Sequence, residues 1–127
     1  MKKQLLIIII LLFSITCFSQ ETFVKKYTSF ITTSNYVVGE WERTDVTVVF
    51  NPKGIRDIVF YYTNGSVRTY HQVTSTQTGK TKNNDSYQIV ECIDDEDGAR
   101  VAIQLFDDDT CVRIIIASGF NIEFHRD

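Results

Sequence analysis

The sequence predicts an all-β domain of about eight short antiparallel strands in a meander, closed as a small barrel or packed as a sandwich. Three observations carry that reading. Beyond residue 20 the chain is rich in Val, Ile, Thr, Tyr and Phe, has a single proline, Pro52, and lacks any Ala/Leu/Glu-rich stretch, which favours strands over helices. Turn signals at Asn51-Pro52-Lys53-Gly54, Asn64-Gly65, Asp97-Gly98 and Gly119 cut it into short runs. A two-residue turn at Asp108-Asp109 also sets Val101, Ile103 and Leu105 opposite Ile116, Ile114 and Val112, so that six apolar side chains share one face. Register demands that pattern when one face is buried.

The first element in the chain is expected to be a targeting segment. Lys2 and Lys3 precede an unbroken apolar run from Leu5 to Phe13, and the small residues Ser14, Thr16, Cys17 and Ser19 follow. This is the layout of a secretory signal peptide. The run is far below the roughly 20 residues that span a bilayer. Residues 1–19 are therefore expected to be a signal peptide of bacterial style cut after Ser19, and residues 20–127 a single all-β domain. Lipid attachment at Cys17 is the lesser alternative, because Ser14-Ile15-Thr16 lacks the Leu and the Gly or Ala of a lipobox. The expected location is secreted or periplasmic.

Removing the signal leaves 11 basic against 16 acidic residues, with Lys25-Lys26 the only basic pair. A mildly acidic exported domain is a poor partner for nucleic acid or anionic lipid, since both demand clustered Lys and Arg. No further run is long enough to cross a membrane as a helix.

The strands follow in order. Residues 22–32 alternate loosely and end at a polar patch; residues 36–50 form a long run, broken near Arg43 to Asp45. Residues 56–63 and 66–73 flank Asn64-Gly65, the strongest short hairpin signal. Residues 74–85 read as the longest loop, and 86–93, 99–106, 110–118 and 120–126 complete the set. No internal repeat is visible.

A two-residue turn at Asn64-Gly65 pairs Tyr61 with Arg68, Val59 with Tyr70 and Ile58 with His71. Tyr61, Arg68 and Tyr70 then share an outward face and make a candidate binding platform of aromatics around an Arg. Ile58, Phe60, Tyr62, Val67 and His71 take the core face.

Cys92 and Cys111 bracket two acidic knots, Asp94–Asp97 and Asp107–Asp109. The compartment favours a disulfide, but the pairing opposes it. With a two-residue turn at Asp97-Gly98, Cys92 lies opposite Ile103 on the inner face while Cys111 points outward. A three-residue turn turns Cys92 outward but leaves the two about 15 Å apart by strand spacing, against the roughly 7 Å that a disulfide tolerates. The acidic knots do not make an EF-hand, whose first and twelfth positions would fall on Ile93 and Gln104. Asp is also favoured in ordinary turns.

Other motifs are incomplete. Gly79-Lys80-Thr81 resembles the end of a phosphate-binding loop, but Thr74 stands where the first glycine belongs. His71 and His125 have no third partner nearby in sequence, so neither a zinc site nor a triad is read. Asp57, Glu91 and Glu123 are isolated acids on strands.

Gly39-Glu40-Trp41 resembles the G-x-W at the first barrel strand of lipocalins. The resemblance covers three residues and implies a calycin-like barrel in which Trp41 closes one end. An Arg from near the C-terminus, Arg126 or Arg113, would pack over it. A strand-like segment precedes Trp41, and 108 residues is short for that family.

The sequence reading is therefore of a non-catalytic binding domain that takes a small apolar ligand or an envelope protein partner. Tyr61, Arg68, Tyr70 and Trp41 are the candidate ligand-binding residues, and no catalytic residue, metal or cofactor is assigned. A cell-envelope hydrolase would need a His–carboxylate pair in a cleft. A structural or adhesive role is the remaining alternative.

Overall fold

The computed structural model describes residues 21–54, 56–108 and 110–126. The expected signal peptide and Cys17 lie outside them. Ten strands run along the described chain: β1 (Phe23–Ser34), β2 (Val37–Val38), β3 (Glu42–Phe50), β4 (Asp57–Tyr62), β5 (Val67–Gln72), β6 (Gln77–Lys80), β7 (Ser86–Asp94), β8 (Arg100–Phe106), β9 (Cys111–Ile116) and β10 (Phe120–His125). The only helical element described is a 3₁₀ turn at Pro52–Gly54.

Eight strands form an antiparallel meander in the order β1-β3-β4-β5-β7-β8-β9-β10, and β10 returns to pair with β1. The sheet is thus a closed barrel, with β2 flanking β1 and β6 flanking β7. Closure depends on the length of β1. A bulge between Tyr27 and Ser29 interrupts its pairing with β3, which runs from Phe23 to Phe30, and Ser29 to Ser34 pair with β10 on the other edge.

Alternation along the strands fills the barrel. Val48 faces Phe60, Ile58 faces Tyr70, Cys92 faces Val101, Ile103 faces Ile114 and Val112 faces Phe124. All ten are buried. The expected β8–β9 register is the observed one, with Val101, Ile103 and Leu105 opposite Ile116, Ile114 and Val112.

The β4–β5 hairpin differs from the expectation by one residue. Tyr61 pairs with Val67, Phe60 with Arg68 and Ile58 with Tyr70. The turn holds three residues, closed by the Tyr62 N–H donating to the Ser66 carbonyl at 3.0 Å, with Gly65 at φ 85°. A glycine in the left-handed region after a tight turn absorbs the extra residue. Because side chains alternate, the slip exchanges faces: Tyr70 is buried and His71 and Val67 point outward.

Three smaller departures follow. The 36–50 run breaks at Gly39–Trp41 rather than near Arg43, where the Gly39 N–H donates to the Thr32 carbonyl at 2.8 Å. A Cβ on Gly39 would sit 3.0 Å from that carbonyl oxygen. The expected loop 74–85 contains β6, whose Gly79 lies opposite Tyr87. The acidic turn after β7 is longer than two residues, which moves Cys92 opposite Val101 but keeps it inside. Cys92 and Cys111 are both free and buried, on opposite sides of the barrel wall.

Candidate functional site

The barrel has two mouths. One gathers the start of β1, the ends of β3, β5 and β8, and the starts of β4 and β7. It opens into a cavity of about 390 Å³ lined by Phe23, Phe50, Ile58, Val90, Ile103 and Leu105. Polar groups ring it: Asn51, Gln72 and Gln88. The rim is braced rather than loose. Phe23 stacks on Phe50 with ring centroids 4.5 Å apart. Asn51, at φ 54°, receives a hydrogen bond from Gln72 Nε2 at 3.1 Å on its side chain and one from Thr22 Oγ1 at 2.6 Å on its carbonyl. A wall of this kind, apolar with a few placed amides, is the usual composition of a small-molecule pocket.

The other mouth is larger, about 820 Å³, and is lined by Tyr62, Arg68, Tyr70 and the acidic turn Asp94–Asp97. Arg68 Nε and Nη2 donate to Asp94 Oδ2 at 2.8 and 2.7 Å, and Nη1 lies 3.1 Å from Glu96. Asp94 is almost fully buried, and its other oxygen accepts from the Glu96 N–H at 2.9 Å. The first acidic knot is thus more than turn chemistry, since Asp94 anchors the Arg that crosses the mouth. Burial pushes the Tyr70 and Tyr62 hydroxyls above the usual phenol range, so both stay neutral.

The expected platform does not form. Arg68 and Tyr70 both line the larger mouth, but inside the barrel, while Tyr61 stands on the outer wall. Trp41 is also outside, half-exposed, with its ring edge-on to His125 at 4.6 Å. It lines neither mouth and so does not close the barrel, although Arg126 borders the same shallow groove.

Two histidines occupy the outer wall. His71 Nδ1 lies 2.8 Å from Asp57 and Nε2 2.8 Å from Asp95. His125 Nε2 lies 3.3 Å from Glu123 Oε2, while the other Glu123 oxygen is ion-paired to Arg113. Cys111 is directly opposite His125 on the neighbouring strand. Cysteine, histidine and glutamate together suggest a nucleophilic triad by residue type. Burial and the Glu123 charge push the Cys111 thiol up to about 12, which leaves it protonated and unreactive as a nucleophile. Sequence reasoning missed this grouping because it depends on the β9–β10 register, which no strong turn signal fixes.

The geometry defines a class: a closed eight-stranded antiparallel barrel with an apolar cup at one end and a charged, tyrosine-lined mouth at the other. Comparison with protein-family models, with curated proteins and with solved structures finds no match to this chain.

Proposed function

We propose that this chain is an exported, non-catalytic binding domain that takes a small apolar molecule into the cup at the Phe23–Phe50 end. The carrying observation is the braced cavity of about 390 Å³ whose walls are aromatic and aliphatic, with the Gln72, Gln88 and Asn51 amides at its edge. Those amides suit a ligand with one or two polar groups on an otherwise apolar body. The larger mouth is a poorer host for such a molecule, because the Arg68–Asp94 pair crosses it and stripping its water without replacement is costly. Export rests on the basic head and short apolar run at the N-terminus. N-terminal sequencing of secreted or periplasmic material is expected to start near Gln20, and retention of Met1 would count against it.

The neutral fluorophore N-phenyl-1-naphthylamine tests the cup. Wild-type protein is expected to give saturable enhancement with one site. Leu105→Trp, which fills the cup from its half-buried rim, is expected to weaken binding at least about tenfold while leaving the melting temperature nearly unchanged. Unsaturable enhancement, or equal binding by the variant, would exclude the cup as the site.

A protein partner is the second reading, favoured by one feature. Tyr36, Val37 and Val38 at the β1–β2 turn, and Trp41 just before β3, are all exposed, with Tyr36 at 97%. Contiguous exposed apolar residues of this kind mark interaction sites.

A further inference from the structure

The outer wall carries a cluster of ligand-bearing side chains away from the cup. Cys111 on β9 and His125 on β10 are a directly opposed pair, and Glu123 precedes His125 by two residues on the same face. One ligand atom from each, sulfur, carboxylate oxygen and imidazole nitrogen, lies within 4.8 Å of the others. The 3.3 Å between His125 Nε2 and Glu123 Oε2 is long for a charge-assisted hydrogen bond, which runs about 2.7–2.9 Å. It matches the edge of a zinc tetrahedron. Bonds of about 2.0–2.1 Å to nitrogen and oxygen place those atoms about 3.3–3.4 Å apart. By the same geometry sulfur belongs about 3.6 Å from the nitrogen, and the three ligand atoms lie within 4.8 Å of one another.

The surroundings fit as well. Glu123 divides its oxygens, with one held by Arg113 and the other turned to His125. Arg113 also donates to Gln104 at 3.3 Å and lies over the Phe106 ring, so the carboxylate is oriented from behind as metal-binding carboxylates commonly are. Trp41 packs against the His125 ring.

We propose that Cys111, Glu123 and His125 form a binding site for a zinc-class divalent cation, with thiolate, carboxylate and neutral imidazole as three ligands and water as the fourth. Sulfur, nitrogen and oxygen donors together suit Zn²⁺ and Co²⁺ better than Ca²⁺ or Mg²⁺. On binding, the Cys111 S–H bond breaks, the proton leaves to solvent and the sulfur–metal bond forms. The two anionic ligands then balance the ion's charge, and Arg113 stays on the other oxygen of Glu123.

The test uses the chain from Gln20 onward, which holds every strand of the closed barrel, stripped of metal and titrated with Co²⁺. A near-ultraviolet thiolate-to-cobalt absorption is expected, bleached by Zn²⁺. Trp41, the single tryptophan of the chain, is expected to be quenched in step. Cys111→Ser abolishes the absorption, His125→Gln weakens binding at least about tenfold, and Cys92→Ser, altered inside the barrel, keeps both signals. Circular dichroism confirms that each variant is folded, and the exposed-side His125→Gln remains decisive if Cys111→Ser is not. The proposal is overturned if wild-type protein shows neither signal with excess Co²⁺. It is equally overturned if His125→Gln binds as tightly as wild type, or if the absorption follows Cys92.

Discussion

His71 shows how single atoms set a pH response. Each ring nitrogen lies 2.8 Å from a carboxylate, Asp57 on one side and Asp95 on the other. Only the doubly protonated imidazolium donates to both, so the hydrogen bonds to Asp95 and then Asp57 raise its pKa above the ordinary 6.5. The folded state therefore holds this proton more tightly than the unfolded chain. The resulting stability is fully present below about pH 6.5 and is lost as pH rises through the higher folded value. Urea melts across that window are expected to show stability falling with pH, and His71→Gln is expected to flatten the slope. Equal slopes would show that the bonds do not hold in solution. Solvent screening keeps the effect modest, because the imidazole is 45% exposed. On the inner face of the same hairpin the stakes are larger. Phe60 and Tyr70 meet edge-to-face at 5.6 Å inside the barrel, whereas Tyr61 points out. Phe60→Ala and Tyr70→Ala are each expected to cost about 3–5 kcal/mol, as buried aromatic truncations do, and Tyr61→Ala less than about 1 kcal/mol. Denaturant midpoints for the three variants check the ranking.

At the scale of the element, turn length decides everything downstream of it. Asn64-Gly65 is a correct hairpin signal, and residues 57–62 and 67–72 are strands as expected. The signal does not say whether two or three residues span the turn. The choice of three moves Tyr70 from the surface to the core and His71 from the core to the surface. Asp108-Asp109 was legible because six apolar residues agree on one register there. The 57–72 hairpin offers no such vote, since Ile58, Val59, Phe60, Tyr61 and Tyr62 put apolar or aromatic side chains at both parities. β6 was hidden by its polar composition, Gln77-Thr78-Gly79-Lys80, which pairs at an edge without burying an apolar face. Gly79 there leaves room for the Tyr87 ring, whose atoms lie 2.6 Å from where a Cβ would stand. Gly65 tests the turn directly. At φ 85° it tolerates no β-branched side chain without strain, though nothing crowds it. Gly65→Val is expected to destabilise by roughly 1–3 kcal/mol, and an unchanged melting temperature would refute the turn.

At the scale of the whole molecule, closure separates the two mouths. Tyr27, Val48, Phe60, Val112 and Phe124 are buried in the barrel and line neither cavity. Phe60 and Phe124 meet at 5.5 Å between rings. This septum makes one end an apolar cup and the other an ion-paired mouth. Neither cavity was legible in the sequence, because each is assembled from strands far apart in the chain. Phe23 meets Phe50 only after β1 bends at its bulge. Arg68 meets Asp94 only once β5 pairs with β7. The septum implies that the mouths respond independently. Arg68→Gln removes the partner of a nearly buried carboxylate and is expected to cost about 1–3 kcal/mol, the lower end reflecting the half-open mouth. Binding of the neutral naphthylamine probe in the opposite cup is expected to stay within about twofold, since distant sites without shared partners add nearly independently. Phe60→Ala in the septum is the contrasting variant, because truncating that ring removes packing between the two ends. Its probe affinity is expected to change by more than that of Arg68→Gln at matched loss of stability. If instead Arg68→Gln weakens the probe while Leu105→Trp does not, the probe occupies the charged mouth, and the division of labour between the two ends is reversed.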